Sequence, residues 1–175
     1  MNAENLILAI LGALPNHEVR GKKRLQKLAF FVVQTGIPSN VKFFLHDFGP
    51  FSTEVASATD VLSYVGAITE AEGQFEKTKR YYKIYSLPDP VIVSEKLPAN
   101  ALSILTTLNA YSTVELEIAS TIRYFLSVGY GAEGAIKATR ELKPSKSLPK
   151  IVERAEEALL KVGLYERGRT DQMSG

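Results

Sequence analysis

Hydrophobic residues recur at helical spacing over the first part of the chain. One apolar face runs along residues 6–14 and predicts a short helix, which Pro15 and Asn16 end. A second helix is predicted by an i, i+3, i+4, i+7 pattern at Leu25, Leu28, Ala29 and Val32. Gly36 is placed to cap this helix, and Pro38 prevents its continuation.

The hydrophobic period then changes from that of a helix to that of a strand. Residues 41–46 alternate between apolar and polar positions, which is typical of a half-buried strand. The Asp-Phe-Gly-Pro sequence of residues 47–50 breaks this strand and predicts a turn. Ser52 is placed to cap a third helix over residues 53–65, which Gly66 ends.

Two short strands complete the first half of the chain. Residues 67–71 and 80–86 flank a polar segment that contains Gly73, so they predict a hairpin with a long tip. The order helix, helix, strand, helix, strand, strand resembles a winged helix, in which the hairpin is the wing. Residues 1–88 are therefore predicted to form a winged-helix-like domain, although fold order alone carries no function.

The pattern after the hairpin predicts helices only. Prolines at positions 88, 90 and 98 mark residues 89–98 as a connector. Four helices are predicted: residues 100–110, a helix starting at the capping box Ser112–Glu115, residues 132–142, and Pro149 to Val162. They form a helical subdomain at 99–163, and the polar residues 164–175 are predicted to be a flexible tail. The predicted fold class is α+β, with a winged-helix-like half followed by an all-helical half.

Composition bounds the class of protein. The chain has 175 residues, of which 45% are hydrophobic, enough for a substantial core, and a net charge of only +2. It contains no cysteine, which excludes disulfides and thiolate chemistry and suits a reducing cytoplasm. No apolar run approaches the length of a membrane span. These features predict a cytoplasmic protein with no membrane partner.

The positive charge is concentrated in two clusters. The first cluster, at the start of the second helix, is Arg20, Lys22, Lys23, Arg24 and Lys27. The second cluster lies on the predicted hairpin beside Tyr82 and is Lys77, Lys79, Arg80 and Lys83. Basic and aromatic residues interleaved on a wing can hold phosphates and stack on bases. The same pattern is also expected of a solvated hairpin whose charged side chains keep an exposed strand edge from pairing with other chains.

The third predicted helix argues against sequence-specific DNA recognition. It carries Glu54 and Asp60, and it lacks Lys, Arg, Asn and Gln, the side chains that read base edges. A helix-turn-helix joins its helices by about three to four residues, whereas here a strand stands between them. DNA binding would then rest on the second helix and the wing and would consist mainly of phosphate-backbone contacts.

Catalytic chemistry has little support in the sequence. His17 and His46 are the only histidines. His46 stands beside Asp47 and near Ser52, but neighbouring strand residues point to opposite faces and cannot orient each other as a triad requires. Phosphate-binding glycine loops and hydrolase motifs do not occur. We therefore expect no enzyme, no cofactor and no metal.

Two short motifs carry a resemblance to a known family. They are LQKL at residues 25–28, preceded by basic residues, and FGPFS at residues 48–52. Together they resemble the Panacea (SocA-type) antitoxin domains and, more closely, the uncharacterised YwgA-type proteins of bacteria and archaea, over residues 21–69. Family antitoxins often have Trp or Tyr before the Gly-Pro and a further Pro after it. The phenylalanine and serine found here favour the YwgA-type branch.

The resemblance implies a non-enzymatic interaction protein. Panacea domains neutralise toxins by direct contact, and the SocA type also hands its toxin to a protease as an adaptor. We therefore expect a protein partner, such as a toxin, at Arg20, Lys22, Lys23, Arg24, Gln26, Lys27, Phe48 and Phe51. The alternative partner is nucleic acid, at Lys77, Lys79, Arg80, Tyr82 and Lys83. A homodimer through the last helix remains open.

Folding alone accounts equally well for the FGPFS segment. The two phenylalanines can fill the space between the second and third helices, and Ser52 can cap the third helix. Gln26 is placed to hydrogen-bond the backbone of the turn and so fix it. Structural and functional interpretations of this turn are therefore both kept.

Overall fold

The computed structural model describes residues 1–90 and 93–166. Its helices are α1 (Ala3–Ala13), α2 (Lys22–Val33), α3 (Thr53–Tyr64), α4 (Ala99–Leu108), α5 (Thr113–Ser127), α6 (Ala132–Leu142) and α7 (Pro149–Lys161). Its strands are β1 (Glu18–Arg20), β2 (Phe44–His46), β3 (Gly49–Phe51), β4 (Thr69–Gln74) and β5 (Tyr81–Ser86), and a 3₁₀ turn spans Pro15–His17. The predicted α+β class is confirmed, with helices and small antiparallel sheets in the first half and helices alone after it.

The first half is organised by a three-stranded antiparallel sheet in the order β1–β5–β4. The sequence pattern did not predict β1, because three residues are too short to show a period. Val19 of β1 pairs with Tyr85 of β5, and the amide of Gly21 donates to the carbonyl of Lys83 at 2.7 Å. The β4–β5 hairpin is therefore fixed at the end of α2 that carries the first basic cluster.

A second antiparallel hairpin, β2–β3, stands between α2 and α3. The strand predicted over residues 41–46 is regular only from Phe44 to His46, although the predicted alternation holds, since Val41 is buried and Lys42 is exposed. The predicted Asp-Phe-Gly-Pro turn is also shorter than expected. His46 pairs with Gly49, so Pro50 belongs to β3, where the open edge of a two-stranded hairpin tolerates proline.

Gly49 brings β3 into direct contact with α5. Its φ is +85°, and a Cβ built on it would lie 2.9 Å from the Thr121 Oγ1 and 3.4 Å from the Glu117 carbonyl oxygen. The small side chains of Ser120 and Thr121 leave room for this backbone approach. The Gly-Pro sequence is thus required by the packing of the hairpin on the helical half.

One hydrophobic core joins the two predicted domains. Its members include Leu28 and Phe31 of α2 together with Leu105 of α4 and Ile118 of α5. Helix α5 packs against α6, α7, α2 and β3, and residues 116–122 are all buried rather than only the predicted stripe. The predicted boundary at residues 89–98 therefore separates two sets of elements but not two cores, because the apolar face of α2 is covered by α4 and α5.

Leu164 and Tyr165, which the sequence placed in the tail, pack against the core. Tyr165 is only 8% exposed, and its hydroxyl donates to a carboxylate oxygen of Glu156 at 3.0 Å. Packing onto α7 therefore extends past residue 163. The rest of the predicted tail, residues 167–175, lies outside the described residues, as do residues 91–92 of the predicted connector. Within the described ranges, no helix has the length and hydrophobicity needed to cross a bilayer.

The contact of Gly49 with α5 predicts a stability difference between two glycine substitutions. Gly36→Ala places a side chain at φ +81° with no atom within 4 Å of the new Cβ, so only backbone strain results, about 1–2 kcal/mol. Gly49→Ala adds overlap with Thr121 and should lower the free energy of unfolding by about 2–4 kcal/mol. Urea denaturation at pH 7 measures both values. Equal losses would show that β3 does not depend on close approach to α5.

Candidate functional site

A buried amide side chain fixes the start of α3. Gln26 of α2 is 6% exposed; its Nε2 donates to the Ser52 carbonyl at 3.0 Å, and its Oε1 accepts from the Ser52 amide at 2.9 Å. The Ser52 hydroxyl in turn accepts from the amide of Val55 and caps α3. The sequence placed this hydrogen bond at the Gly-Pro turn, whereas Gln26 bonds the backbone of Ser52, the residue that precedes α3. Gln26 is consequently part of the interior and does not offer a partner-binding surface.

Lys27 lies inside the protein, whereas the sequence predicted it on an exposed basic face. It is 2% exposed, because the β2–β3 hairpin covers this side of α2, and its Nζ donates to the Pro50 carbonyl at 2.7 Å. Burial lowers the pKa of Lys27 to about 8, and the positive charges of Lys143, Lys23 and Lys146 act in the same direction. The carboxylate of Glu117 partly opposes this shift.

A buried ion-pair cluster, formed by Glu117, Lys143 and Lys146, stands beside Lys27. The Glu117 carboxylate accepts from Lys143 Nζ at 3.0 Å and from Lys146 Nζ at 2.8 Å and 2.9 Å. Lys143 Nζ also donates to the Asp47 carbonyl at 2.6 Å and so ties the end of α6 to the β2–β3 turn. Burial would raise the pKa of Glu117, but the hydrogen bonds from Lys146 and Lys143 hold it below its usual range.

Phe48, at the tip of the β2–β3 turn, lies against two ammonium groups. Lys23 Nζ is 3.3 Å from the centroid of the Phe48 ring, and Lys146 Nζ is 5.0 Å from it. Phe48 is 42% exposed, so it remains accessible to a partner as predicted. Phe51 is half-buried against Phe44, with ring centroids 5.6 Å apart, and offers much less surface.

Arg24 of the first basic cluster is also occupied within the protein. Its guanidinium donates to the Tyr111 carbonyl at 2.8 Å and to the Asn109 carbonyl at 2.7 Å. These carbonyls follow the end of α4, where backbone acceptors lack helical partners. Arg24 therefore joins α2 to the α4–α5 connection and, like Gln26 and Lys27, is not a free surface residue.

Basic residues of both clusters line one groove between the start of α2 and the β4–β5 hairpin. This basic groove has a volume of about 430 Å³, and it is lined by Arg20, Lys22, Lys23, Arg24, Phe75, Arg80, Tyr81, Tyr82 and Lys83, among others. The two clusters that are far apart in the sequence are thus neighbours in the fold. The pairing of β1 with β5 accounts for this, because it brings the hairpin to the end of α2.

The groove residues differ in how far their charges are already neutralised. Lys83 Nζ lies 2.7 Å from Glu70 and 3.0 Å from Glu72, and these hydrogen bonds raise its pKa. Arg20 is paired with Glu18 at 2.8 Å. Lys22 is only 3.9 Å from Asp60 at the exposed surface. Three cations are available to a partner: Lys22, Lys23 and Arg80, the last two making no ion pair within the described ranges.

The other hairpin candidates occupy different positions. Lys77 and Lys79 lie on the exposed tip between β4 and β5 and do not line the groove. Tyr82 packs on Gly73 and on the Phe75 ring at 4.5 Å, so much of its surface is already covered. Tyr81, the neighbour of Tyr82 on the hairpin, is 70% exposed in the groove, and Phe75 is 54% exposed there. Tyr81 is therefore the more accessible of these two aromatic rings.

The ion-pair cluster was missed at the sequence level. Glu117, Ser120 and Thr121 stand at i, i+3 and i+4, which is a polar face on a helix with a predicted apolar stripe. A polar face of this kind is ordinarily solvated, so it gave no sign that α5 packs on all sides. Lys143 and Lys146 gave no sign either, because lysines after a helix end are ordinarily solvated.

Metal-ligand types are dispersed within residues 1–90 and 93–166, and His46 and Ser52 lie in different environments. No three His, Asp or Glu side chains in these ranges are grouped to hold a metal ion. The Ser52 hydroxyl is buried and donates to Glu54, whereas His46 is exposed and packs near the Phe51 ring at 5.6 Å. His46 and Ser52 therefore do not form a hydrolytic pair.

Removing the Glu117 charge should be strongly destabilising. Glu117→Gln leaves Lys143 buried opposite a neutral amide, and breaking a buried pair in this way costs about 3–5 kcal/mol. Glu115→Gln is the matched control, because a glutamine at this position keeps the capping box on Ser112. Urea unfolding at pH 7 compares the two. Losses of similar size would contradict a structural role for the ion-pair cluster.

Lys27 should give the protein a distinctive stability profile in alkaline solution. Its pKa is about 8 in the folded protein and 10.5 ordinarily, so between these values the unfolded chain binds more protons and stability rises with pH. The gain is on the order of 3 kcal/mol. Lys27→Met should lack this rise, which urea unfolding at pH 7 and pH 10 measures for both proteins. If the wild type and Lys27→Met change in stability by the same amount between pH 7 and pH 10, Lys27 is exposed to solvent.

No protein-family model and no curated protein sequence matches this chain. The resemblance to Panacea and YwgA-type proteins therefore stays a prediction that rests on residues 25–28 and 48–52.

Proposed function

We propose that this protein is a non-catalytic regulatory module, antitoxin-like or adaptor-like, which binds an acidic surface of a protein partner in the basic groove. The observation that carries the proposal is the joining of Lys22, Lys23 and Arg80 in one groove with the exposed ring of Tyr81. Exposed cations beside an aromatic side chain are typical of protein interfaces that are selected by charge.

Electrostatics favour an acidic partner over a neutral one. Six Lys and Arg side chains line the groove, and only Glu72 among its lining residues is acidic. Lys22, Lys23 and Arg80 lack strong ion pairs with described residues, so binding an acidic partner would not require them to break such pairs. A complementary acidic surface would accelerate association and select the orientation of the complex.

Nucleic acid is the second candidate, and the same groove favours it. Cations and exposed aromatic rings together can contact a phosphate backbone and stack on bases. Helix α3, however, places Glu54 and Asp60 at the surface and contains no lysine or arginine. Any nucleic-acid binding would therefore use the groove and would be weakly sequence-specific.

Charge reversal in the groove tests both candidates. Lys22→Glu/Arg80→Glu alters two exposed groove residues without touching Arg24 or Lys27, whose replacement would disturb the interior. Pull-down from lysate of the source organism should recover a stoichiometric partner with the wild type and at least tenfold less with this variant. The control Lys96→Glu/Lys150→Glu makes the same change in net charge at exposed positions outside the groove and should behave as wild type.

The nucleic-acid candidate has its own readout. Phosphate contacts are strongest at low salt, so a mobility shift of unrelated duplexes that is lost with the groove variant would favour nucleic acid over protein. Equal recovery of a protein partner by the groove variant and the wild type would overturn the proposed role of the groove.

A further inference from the structure

A second, more enclosed cavity lies between α2, α3 and the β2–β3 hairpin. Its volume is about 160 Å³, and its lining includes Leu25, Lys27, Phe48, Phe51, Ala56 and Tyr85. An engineered apolar cavity of about 150 Å³ in another protein is large enough to bind benzene. The volume of this cavity therefore suits an occupant with one six-membered ring. Lys22 and Lys23 contribute to both the cavity and the basic groove.

The walls of the cavity are mainly apolar. Leu25 and Ala56 approach from the two helices, and Phe48 and Phe51 approach from the hairpin. Such walls favour a flat apolar body and disfavour a strongly hydrated group such as a free phosphate.

Two polar side chains that line this cavity have hydrogen-bonding capacity left over. Tyr85 is fully buried, and its hydroxyl has no hydrogen-bond partner in the described part of the chain. Burial, assisted by Glu70 and Asp60, raises the pKa of Tyr85 to about 12, so the hydroxyl stays a neutral donor. The Lys27 ammonium has three N–H donors and uses one of them on Pro50. Buried groups of this kind are normally satisfied.

The charge at the cavity selects an anion. Three lysines line it, at positions 22, 23 and 27, against one carboxylate, Asp60, which is exposed and lies 3.9 Å from Lys22. Lys23 and Lys27 form no ion pair with any described residue. A carboxylate would accept hydrogen bonds from the Lys27 ammonium and the Tyr85 hydroxyl, and its charge would balance that of a buried amine.

We propose that this cavity is a binding site for a small monocyclic aromatic carboxylate. The ring fills the space between the leucine, alanine and phenylalanine side chains, and the carboxylate accepts from Lys27 and Tyr85. This ligand site is independent of the macromolecular partner proposed for the groove, so either proposal can fail alone.

Benzoate is the probe, and benzamide, which has the same shape without the charge, is its matched control. Titration of the ¹⁵N-labelled protein at pH 7 should give saturable shifts in the amide resonances of residues 25–27 and 56–59. Benzamide should bind at least tenfold more weakly, because it lacks the negative charge that would form an ion pair with the Lys27 ammonium.

Two variants locate the site. Lys27→Met should weaken benzoate binding at least tenfold, and Lys150→Met, at an exposed lysine outside the cavity, should leave it unchanged. Ala56→Ile fills the cavity from its wall without removing a polar group, so it should abolish binding while the spectrum stays that of a folded protein. It keeps the test decisive if Lys27→Met does not fold. Absence of saturable shifts, or benzoate binding that survives Ala56→Ile, would overturn the proposal.

Discussion

Lys27 of α2 and Lys143, which follows the end of α6, enter the interior and donate to carbonyls on either side of the β2–β3 turn. A buried ammonium requires acceptors, and an open hairpin has backbone carbonyls to offer. Lys27 binds the Pro50 carbonyl at 2.7 Å, and Lys143 binds the Asp47 carbonyl at 2.6 Å. Glu117 supplies the counter-charge from α5. These bonds hold the hairpin between the two halves, whose shared core is formed directly by α2 with α4 and α5.

The same contacts divide the first basic cluster into two kinds of residue. Arg24 and Lys27 are needed to join helices and hairpin, so their charges are directed inward. Lys22 and Lys23 are exposed instead: Lys23 lies over the Phe48 ring of the β2–β3 turn, Lys22 lies 3.9 Å from Asp60 of α3, and both also line the basic groove. A basic groove on one side and an apolar cavity on the other therefore share the start of one helix. Both proposed sites therefore include residues at the start of α2, which Arg24 and Lys27 join to the interior.

The β2–β3 hairpin also interrupts the winged-helix-like order of elements, because it stands between α2 and α3. Helix α3 follows the hairpin and carries exposed acids, whereas the cations gather on α2 and the β4–β5 wing. Gly49 holds the hairpin against α5, where a side chain at that position would meet Thr121. Gly49 and Pro50 are thus buried against the helical half, whereas Phe48 at the tip of the turn stays 42% exposed.

The sequence by itself determined the features that depend on local patterns. The helical period of residues 25–32, the capping box at Ser112–Glu115 and the alternation of residues 41–46 all recur in the structure, because each is encoded by neighbours in the chain. Only the tertiary structure decided which charges are buried. Nothing adjacent to Lys27 or Glu117 in sequence marks either one as interior, since their acceptors and counter-charges come from elements far along the chain. The three-residue strand β1 and the meeting of two basic clusters in one groove follow from the same kind of long-range pairing.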